Sequence, residues 1–341
     1  MSEDRDAFDR RLKAEDLLGY WMIPGRSDGY REPQPRYAPK LWGWQSLRGA
    51  LDEAALHITK EEAHRRFIGL QHPDLEVGTT PNLMLGAQLI QGGETAPPHR
   101  HTMDAVRFVV EGDGGACTVV EGERFAMRRG DLITTPNWSW HDHVNESARD
   151  TVWLDGAVAP LIMHFGIGFA EPYQQEHQAV SARDGWSSLQ FGPLQPRHPV
   201  YSQTARRPPY RYAWEDASRA LTRLAEAPPD MHDDTVLHYA DPVSGGPTLG
   251  TVDCELQQLR PGFAGRAHRH THATVYHVVA GKGTSWVGET RFDWQMGDSF
   301  VVPVWSWHRH ANQGAEPAIL FSVSDKPVMR SMGFDREEMQ G

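Results

Sequence analysis

Short hydrophobic runs alternate with turn-forming residues over two long parts of the chain. Within residues 99–145 and 268–312, apolar stretches rich in Val, Thr, Phe and Trp are separated by Gly, Asp and Pro. Such runs are typical of short antiparallel strands in a sandwich or barrel, and not of helices. The pattern therefore predicts a mainly β protein with two β-rich units.

Two further segments have helical periodicity. Apolar residues recur every three or four positions in residues 41–56 and 212–227, which predicts a helix in each. The residues concerned are Trp44, Leu47, Leu51 and Ala55 in the first segment and Trp214, Ala217, Leu221 and Leu224 in the second. Residues 171–211 are rich in Pro, Gln and Arg and have little periodicity, so we expect a surface linker there.

The two β-rich units are copies of one another. His99–Asn145 and His268–Asn312 both begin with HRHT and end with P-x-W-S-W-H-x-H-x-N. Matching V-V, G-x-G and G-D positions lie between these ends. A fixed period of self-similarity is the signature of a repeated structural unit, and a match this long indicates an internal duplication.

Composition and charge narrow the classes of function. The 341 residues are 39% hydrophobic and 23% charged, as in a globular protein of about two domains. The net charge of −11 is spread along the chain, so we expect neither a nucleic-acid partner nor a membrane partner. The charged start MSEDRDAFDRR does not resemble a secretory signal, and Cys117 and Cys254 form no disulfide or zinc pattern. A cytoplasmic protein is expected.

The clustered histidines point to a metal site. Residues i and i+2 of a strand share a face, so His99 and His101 present two imidazoles side by side while Arg100 points away. His141 supplies a third imidazole from a facing strand. Three neutral imidazoles suit Fe, Zn, Cu or Ni. An isolated histidine would more simply be a hydrogen-bonding residue, but the repetition inside two β-rich units favours a metal.

This arrangement resembles the cupin family, in which H-x-H is followed three or four residues later by Glu. Here that position falls on Ala105 or Val106, and on Thr274 or Val275 in the second copy, so both copies lack the carboxylate. Three imidazoles leave the metal its full charge and up to three open positions. A chelating ortho-hydroxy acid and O2 could fill them, as in Fe(II) oxygen chemistry. A zinc-bound hydroxide acting as a hydrolase is the competing interpretation.

The two copies differ beside the metal. Arg107 lies two residues beyond the missing Glu and should share its inward face, where it could bind a carboxylate or form a structural salt bridge. The second copy has Tyr276 there, so the first copy is the better candidate for catalysis. Whether His268, His270 and His308 also bind a metal stays open.

Two further polar residues are candidates for the first site. His143 follows His141 at i+2, so it should face the same cavity and could bind substrate, transfer a proton or support a ligand. Asp155 could orient His143 or Arg107, or cap a turn.

The first copy also resembles a particular family. Its motifs, P-P-H-R-H-T, A-V-R-F-V-V-E-G, T-P-x-W-x-W-H-D-H and W-L-D-G, are similar to those of the gentisate 1,2-dioxygenase family, which includes salicylate, 5-substituted salicylate and 1-hydroxy-2-naphthoate 1,2-dioxygenases. The resemblance implies a bicupin of two jelly-roll barrels, usually a homotetramer, with Fe(II) in the N-terminal cupin. It also implies ring opening by O2 between the carboxyl-bearing carbon and the adjacent hydroxyl-bearing carbon.

We accordingly expect an N-terminal arm over residues 1–60 and an N-terminal cupin over 61–180. A linker with a helix should occupy 181–235, and a C-terminal cupin 236–341. A small-ligand-binding bicupin without enzymatic activity, or a zinc-type hydrolase or isomerase, is the alternative.

The resemblance carries over to individual residues. It implies iron ligands at His99, His101 and His141. Residues lining the substrate site are implied at Arg107, His143, Asp155 and Gln88, and at Arg65 or Arg66.

Three positions concern the substituent on the substrate's ring. Met84 replaces a common Trp or Tyr, and Met103 replaces a common Gln, although both could be packing residues. Gly86 leaves space where a larger residue would restrict the pocket. A substituted salicylate therefore competes with gentisate as the substrate.

Overall fold

The computed structural model describes residues 2–23, 32–59, 62, 65–191, 197 and 207–341. The helices are α1 (Ser2–Ala14), α2 (Trp44–His57), α3 (Ala159–Phe165), α4 (Trp186–Phe191), α5 (Trp214–Leu224) and α6 (Lys326–Ser331), with a 3-10 helix at Tyr20–Met22. The first strands are β1 (Lys40–Trp42), β2 (Arg66–Gly69), β3 (Met84–Ile90), β4 (Thr95–His101), β5 (Ala105–Glu111), β6 (Asp113–Val120), β7 (Glu123–Arg128), β8 (Leu132–Thr135), β9 (His141–Asn145), β10 (Thr151–Ala157) and β11 (Ala170–Pro172). The others are β12 (Arg211–Tyr212), β13 (Thr235–His238), β14 (Asp253–Leu259), β15 (His268–His270), β16 (Thr274–Ala280), β17 (Lys282–Val287), β18 (Thr290–Gln295), β19 (Ser299–Val302), β20 (His308–Ala311), β21 (Ala318–Ser324) and β22 (Glu337–Met339).

The strands form two barrels, each made of two sheets. The N-terminal barrel combines the sheet β12-β8-β5-β10-β3-β2 with the sheet β11-β4-β9-β6-β7. The C-terminal barrel repeats this order in β1-β19-β16-β21-β14-β13 and β18-β17-β20-β15-β22. The predicted mainly β architecture with a duplicated unit is confirmed.

Both helices predicted from periodicity are present. Leu47 and Leu51 of α2 are buried, as is Leu221 of α5. Each helix follows a short strand that the periodicity did not predict, β1 before α2 and β12 before α5. None of the helices in the part of the chain that the structure describes is long and apolar enough to cross a membrane.

The segments before the two barrels are exchanged. β1 pairs with β19 of the C-terminal barrel, where Leu41 lies opposite Phe300, while β12 pairs with β8 of the N-terminal barrel. The domain boundaries remain a prediction, but strand pairing crosses them. The arm (1–60) completes a sheet of the C-terminal barrel, and the linker (181–235) completes a sheet of the N-terminal barrel. Residues 1, 24–31, 60, 192–196 and 198–206 of these segments lie outside the described residues.

The repeated G-D motif anchors the exchanged segments. The glycines of Gly130–Asp131 and Gly297–Asp298 have φ angles of 87° and 92°, which favour glycine. An added Cβ would lie 2.4 Å from the Trp214 ring at the first turn and 2.5 Å from the Trp44 ring at the second. The aspartates accept hydrogen bonds from the backbone N–H of Trp214 and Trp44, both at 2.9 Å. Each motif thus fixes the start of one helix.

The two barrels pack through the sheets that contain β5 and β21. Phe108 stacks on Phe321 with ring centroids 4.2 Å apart, so one face of β5 is buried between the barrels. Arg107 and Val109 project from the other face into the N-terminal barrel and are also buried. Burial on both faces explains the almost unbroken apolar run A-V-R-F-V-V. The contact between the barrels therefore determines that Arg107 points into its barrel.

His277 is a buried histidine at the same contact. Its ring centroid lies 6.5 Å from that of Trp44 and 6.2 Å from that of Phe108, and its Nδ1 is 3.1 Å from Ser299 Oγ. Burial lowers its pKa to about 3, and the positive charge of Arg129 adds to this effect. His277 is therefore neutral in the folded protein at pH 7.

This depressed pKa predicts a loss of stability in acid. The unfolded chain binds a proton at His277 near pH 6.5, whereas the folded chain does so only near pH 3, so acid favours unfolding across that window. In His277→Gln, the free energy of unfolding should fall less steeply with decreasing pH, by up to about 1.4 kcal/mol per pH unit. Denaturant titrations of metal-free protein between these pH values measure the slope. The exposed His164→Gln variant serves as the control, and an unchanged slope in His277→Gln would contradict the prediction.

Candidate metal centre

Two paired strands of the five-stranded sheet bring the first three histidines together. His99 and His101 lie on β4, and His141 on β9 stands directly opposite His99 in the antiparallel register. The ring centroid of His141 lies 4.2 Å from that of His99 and 4.8 Å from that of His101. His141 joins the other two imidazoles, as expected, and its strand β9 is the neighbour of β4 in the same sheet.

Backbone carbonyl groups orient all three imidazoles in the same way. In each ring, Nδ1 lies within hydrogen-bond distance of a carbonyl oxygen: Pro97 for His99 (3.0 Å), Met103 for His101 (2.9 Å) and Ser139 for His141 (3.0 Å). A carbonyl can only accept, so Nδ1 carries the proton and the lone pair is on Nε2. The three ligand atoms lie within 4.8 Å of one another. This arrangement fits a metal bound through Nε2.

Burial keeps these imidazoles neutral. Desolvation lowers the pKa of His99 to about 3 and that of His101 to about 4, and it lowers the pKa of His141 well below the usual value. The positive charge of Arg107 adds to all three shifts, and that of Arg65 adds to those of His99 and His101. Among the described residues, the group that could hold the metal is made of histidines alone. Buried Ala105 stands at the expected Glu position, so the predicted set of three neutral ligands agrees with the geometry.

Arg107 is fully buried beside the triad. Its Nη1 donates to Thr135 Oγ1, while Nε and Nη2 have no hydrogen-bond partner among the described residues. Asp155 lies directly opposite on β10, and its charge opposes the lowering of the Arg107 pKa by burial. A buried donor without an acceptor is costly. The unused N–H groups of Arg107 therefore suit an incoming anion.

Of the two neighbouring arginines, Arg65 is the one at the site. Arg66 donates to Glu94 at 2.6 Å and to the Ile58 carbonyl at 3.0 Å. Arg65 instead contacts Nε2 of His99, using the lone pair that a metal would use, so this contact and a metal on His99 exclude one another. Burial lowers the Arg65 pKa to about 10 against the attraction of Asp155, which leaves the side chain charged at neutral pH.

His143 lies beside the triad, and the Thr118 hydroxyl orients it. The Thr118 hydroxyl lies 2.8 Å from Nδ1 of His143, whereas Nε2 has no partner among the described side chains. The ring centroid lies 4.8 Å from that of Trp153 and 6.3 Å from that of His141. Sequence reasoning missed Thr118. The internal repeat contained the signal, because Ser285 stands at the same position.

The residues predicted on β3 line one wall of the barrel. Gln88 is buried opposite Trp153, and its Oε1 has no partner in the described chain. Gly86 lies opposite Asp155. A Cβ on Gly86 would lie 2.5 Å from the Phe67 ring. The space predicted beside Gly86 is therefore taken by Phe67, a partly exposed residue that sequence reasoning missed.

Met84 and Met103 make different contacts. Met84 is half-buried at the end of β3, where its Sδ would lie 2.9 Å from a Cβ added to Gly69. Met103 accepts the hydrogen bond from His101 with its backbone carbonyl. Contact of either side chain with a ring substituent remains a prediction.

An aromatic clamp on the outer side supports the triad. Arg100 points away from the metal site, as predicted, and its guanidinium carbon lies 4.6 Å from the Trp138 ring centroid and 4.4 Å from that of Trp140. Its Nε donates to Glu171 at 2.9 Å. The second copy repeats the clamp with Arg269, Trp305, Trp307 and Glu338. The clamp ties β4 to the segment leading into His141, and so fixes the first two ligands relative to the third.

Three neutral imidazoles from paired strands, facing a buried arginine inside a double-sheet barrel, define a metal-binding bicupin. The Cupin domain family matches residues 86–156 and 255–324. Gentisate 1,2 dioxygenase 1 of Aquipseudomonas alcaligenes is 35% identical over 99% of this chain and 97% of its own. The 5-aminosalicylate 1,2-dioxygenase of a Comamonas species is 38% identical over 90% of this chain and 83% of its own.

Solved structures agree with these relatives. The crystal structure of salicylate 1,2-dioxygenase from Pseudoaminobacter salicylatoxidans with gentisate has a TM-score of 0.89 and 29% sequence identity, covering 99% of this chain and 94% of that chain. The chain belongs to the gentisate 1,2-dioxygenase family, and it is a ring-cleaving dioxygenase and thus an oxidoreductase. The family, the fold and the enzyme class predicted from the sequence are confirmed.

The clamp predicts a positioning role for Arg100. In Arg100→Ala, the Co(II) concentration that half-saturates the histidine site, measured from the visible spectrum, should rise by roughly tenfold, because residues that orient ligands typically contribute about 10- to 100-fold to metal affinity. Arg100→Lys should recover part of the loss, since an ammonium group can also stack on Trp. Arg124→Ala removes an ion pair with Glu146 in the same barrel and is the control. Equal metal requirements for Arg100→Ala and the control would rule out the role.

Proposed function

We propose that the chain is an Fe(II)-dependent dioxygenase that opens a salicylate-type acid, gentisate or a 5-substituted salicylate, between the carboxyl-bearing and the adjacent hydroxyl-bearing carbon. The observation that carries this proposal is the triad of neutral histidines, without a carboxylate, beside Arg107, whose Nε and Nη2 have no hydrogen-bond partner among the described residues. When bound, ferrous iron supplies the redox chemistry for reaction with O2 and positions for both reactants.

The charges at the site favour an anionic substrate. Arg65 and Arg107 carry two positive charges, and Asp155 carries one negative charge near both. A carboxylate placed against Nε and Nη2 of Arg107 would satisfy both donors in the paired geometry that arginine favours. The names of the two relatives specify gentisate and 5-aminosalicylate, and the solved neighbour holds gentisate. All of these molecules are ortho-hydroxy benzoic acids.

His143 is suited to accept a hydrogen bond from the substrate's hydroxyl group. The Thr118 hydroxyl lies 3.5 Å from Met127 Sδ, to which it can donate, so its oxygen is free to accept from Nδ1 of His143. In that arrangement the lone pair of His143 is on Nε2, which has no partner among the described side chains. Burial lowers the pKa of His143 well below its usual value, so the ring stays neutral and acts as a hydrogen-bond acceptor and not as a base. Gln88 Oε1 offers a second acceptor.

Oxygen consumption tests the proposed function. Protein loaded anaerobically with Fe(II) should consume one O2 per molecule of at least one of gentisate, salicylate, 5-nitrosalicylate, 5-chlorosalicylate and 1-hydroxy-2-naphthoate, and yield a ring-opened oxo acid. An oxygen electrode and mass spectrometry measure both quantities. Iron-loaded protein that consumes no O2 with any of these acids would refute the proposal. Zinc-supported turnover without O2 would favour a hydrolase, and protein that retains no metal would favour a binding protein.

Arg107 should determine affinity for the acid. Loss of one partner of a buried charge pair costs about 2 kcal/mol or more, so Arg107→Met should reduce kcat/KM by roughly 30-fold or more. Its iron content should stay at the wild-type level, because Arg107 is not a ligand. Tyr276→Phe, at the matching position of the second copy, should leave KM unchanged. Oxygen uptake at graded acid concentrations gives KM and kcat, and a wild-type KM in Arg107→Met would contradict this role.

We also propose that the chain forms a homotetramer in the cytoplasm. A homotetramer is supported by large apolar side chains exposed close together in sequence at and after α3: Met163, Phe165, Ile167 and Phe169. The reduced cytoplasm is supported by Cys117 and Cys254, which are both buried free thiols. Light scattering should give about four times the 38.4 kDa chain mass, and a monomer would overturn the assembly.

A further inference from the structure

The C-terminal barrel assembles a second histidine triad. His268 and His270 lie on β15 and His308 on β20, and their ligand atoms lie within 4.8 Å of one another. Nδ1 of His270 lies 2.8 Å from the His272 carbonyl, and Nδ1 of His308 lies 3.0 Å from the Ser306 carbonyl. These bonds place the lone pairs on Nε2, as in the first triad.

Two of these rings are free to coordinate a metal. His308 is almost completely buried, and its Nε2 has no hydrogen-bond partner among the residues described. His268 is also buried, and its Nδ1 lies 3.9 Å from Asp233 Oδ2. This distance is too long for a hydrogen bond, so Nδ1 of His268 has no hydrogen-bond partner among the described residues. The triad therefore has the ligands of a metal site, with a carboxylate close to one of them.

The cavity beside this triad is acidic. It has a volume of about 440 Å³, and the carboxylates on its wall are Asp230, Asp233, Asp234, Glu255 and Glu337. Arg260 pairs with Asp234 at 2.7 Å. Lys326 is the only lysine or arginine among the described residues of the wall. Burial raises the pKa of Asp233 to about 7 and also raises that of Glu255, so these two carboxylates contribute less negative charge than their number suggests. Acidic groups still outnumber basic ones on this wall.

The surroundings of the first triad have the opposite charge. There Arg65 and Arg107 outnumber Asp155, whereas the position that matches Arg107 in the second copy is Tyr276. Tyr276 is buried with its ring centroid 4.8 Å from that of His310. The same scaffold thus surrounds one triad with cations and the other with carboxylates.

We propose that His268, His270 and His308 bind a second divalent transition-metal ion, and that the surrounding carboxylates exclude the aromatic acid from it. A negative field stabilises a bound cation and repels an anionic ligand. The C-terminal barrel would then hold a metal without catalysing ring cleavage. The exclusion of the acid rests on the proposed function, whereas the metal binding does not.

Metal counting tests the first part, with Co(II) as the probe. The wild-type chain should bind two Co(II) ions, and His99→Ala/His101→Ala and His268→Ala/His270→Ala should each bind one, measured by elemental analysis after desalting. His101→Gln and His270→Gln replace them if a double variant does not fold. A single ion in the wild type that survives the loss of His268 and His270 would overturn the second site.

The visible spectrum of bound Co(II) tests the second part. Salicylate should shift the spectrum of His268→Ala/His270→Ala, in which only the first site is filled, and leave that of His99→Ala/His101→Ala unchanged. A shift in the latter variant would show that the acid reaches the second metal. Absence of a shift in both would leave the metal proposal intact and contradict the proposed substrate.

The acidic residues of the cavity wall should increase the affinity of the second site for the metal. Glu255→Gln/Glu337→Gln, made in the His99→Ala/His101→Ala background, should weaken Co(II) binding by roughly tenfold, because two nearby negative charges are lost. Asp293→Asn removes an exposed carboxylate of the same barrel and is the control. Circular dichroism checks the fold, and unchanged affinity in a folded double variant would show that the acidic wall has no part in binding the metal.

Discussion

The N-terminal site depends on the desolvation of three imidazoles beside two guanidinium groups. Desolvation and the charge of Arg107 oppose protonation of all three histidines, and the charge of Arg65 adds to this at His99 and His101, so each ring keeps a lone pair for a metal. The backbone carbonyls that accept from Nδ1 then direct that lone pair inward. Asp155 offsets part of the arginine charge, and the remainder is available to an anion. Together, these neighbouring groups orient the imidazoles, keep them neutral and favour an anionic substrate.

Duplication preserved the scaffold and changed the charges. Both barrels keep the paired strands, the histidine triad and the arginine clamp. Both also keep a hydroxyl beside the histidine two residues after the triad, Thr118 at His143 and Ser285 at His310. What differs is the wall, where Arg107 is matched by Tyr276. Metal ligands come from one sheet of each barrel, whereas these wall residues come from the other sheet. The charge of the molecule that a barrel accepts can therefore change without any change in the metal ligands.

The sequence predicted what depends on local periodicity or on the repeat. The two-residue spacing of His99 and His101 predicted that they lie side by side on a strand, and helical spacing of apolar residues predicted α2 and α5. It could not place His141, because the number of intervening residues does not specify which strands pair. Nor could it show Phe67 beside Gly86, since that contact depends on packing across β2 and β3. Strands as short as β1 and β12 have too few residues for a periodic signal.

β1 and β12 each pair with the barrel that does not follow them directly in the chain. A barrel expressed alone would lack the edge strand that the segment before the other barrel provides, and unpaired sheet edges promote aggregation. A truncation between the barrels would therefore expose a sheet edge on both fragments, so the boundary in the sequence is a poor place to divide the protein for expression.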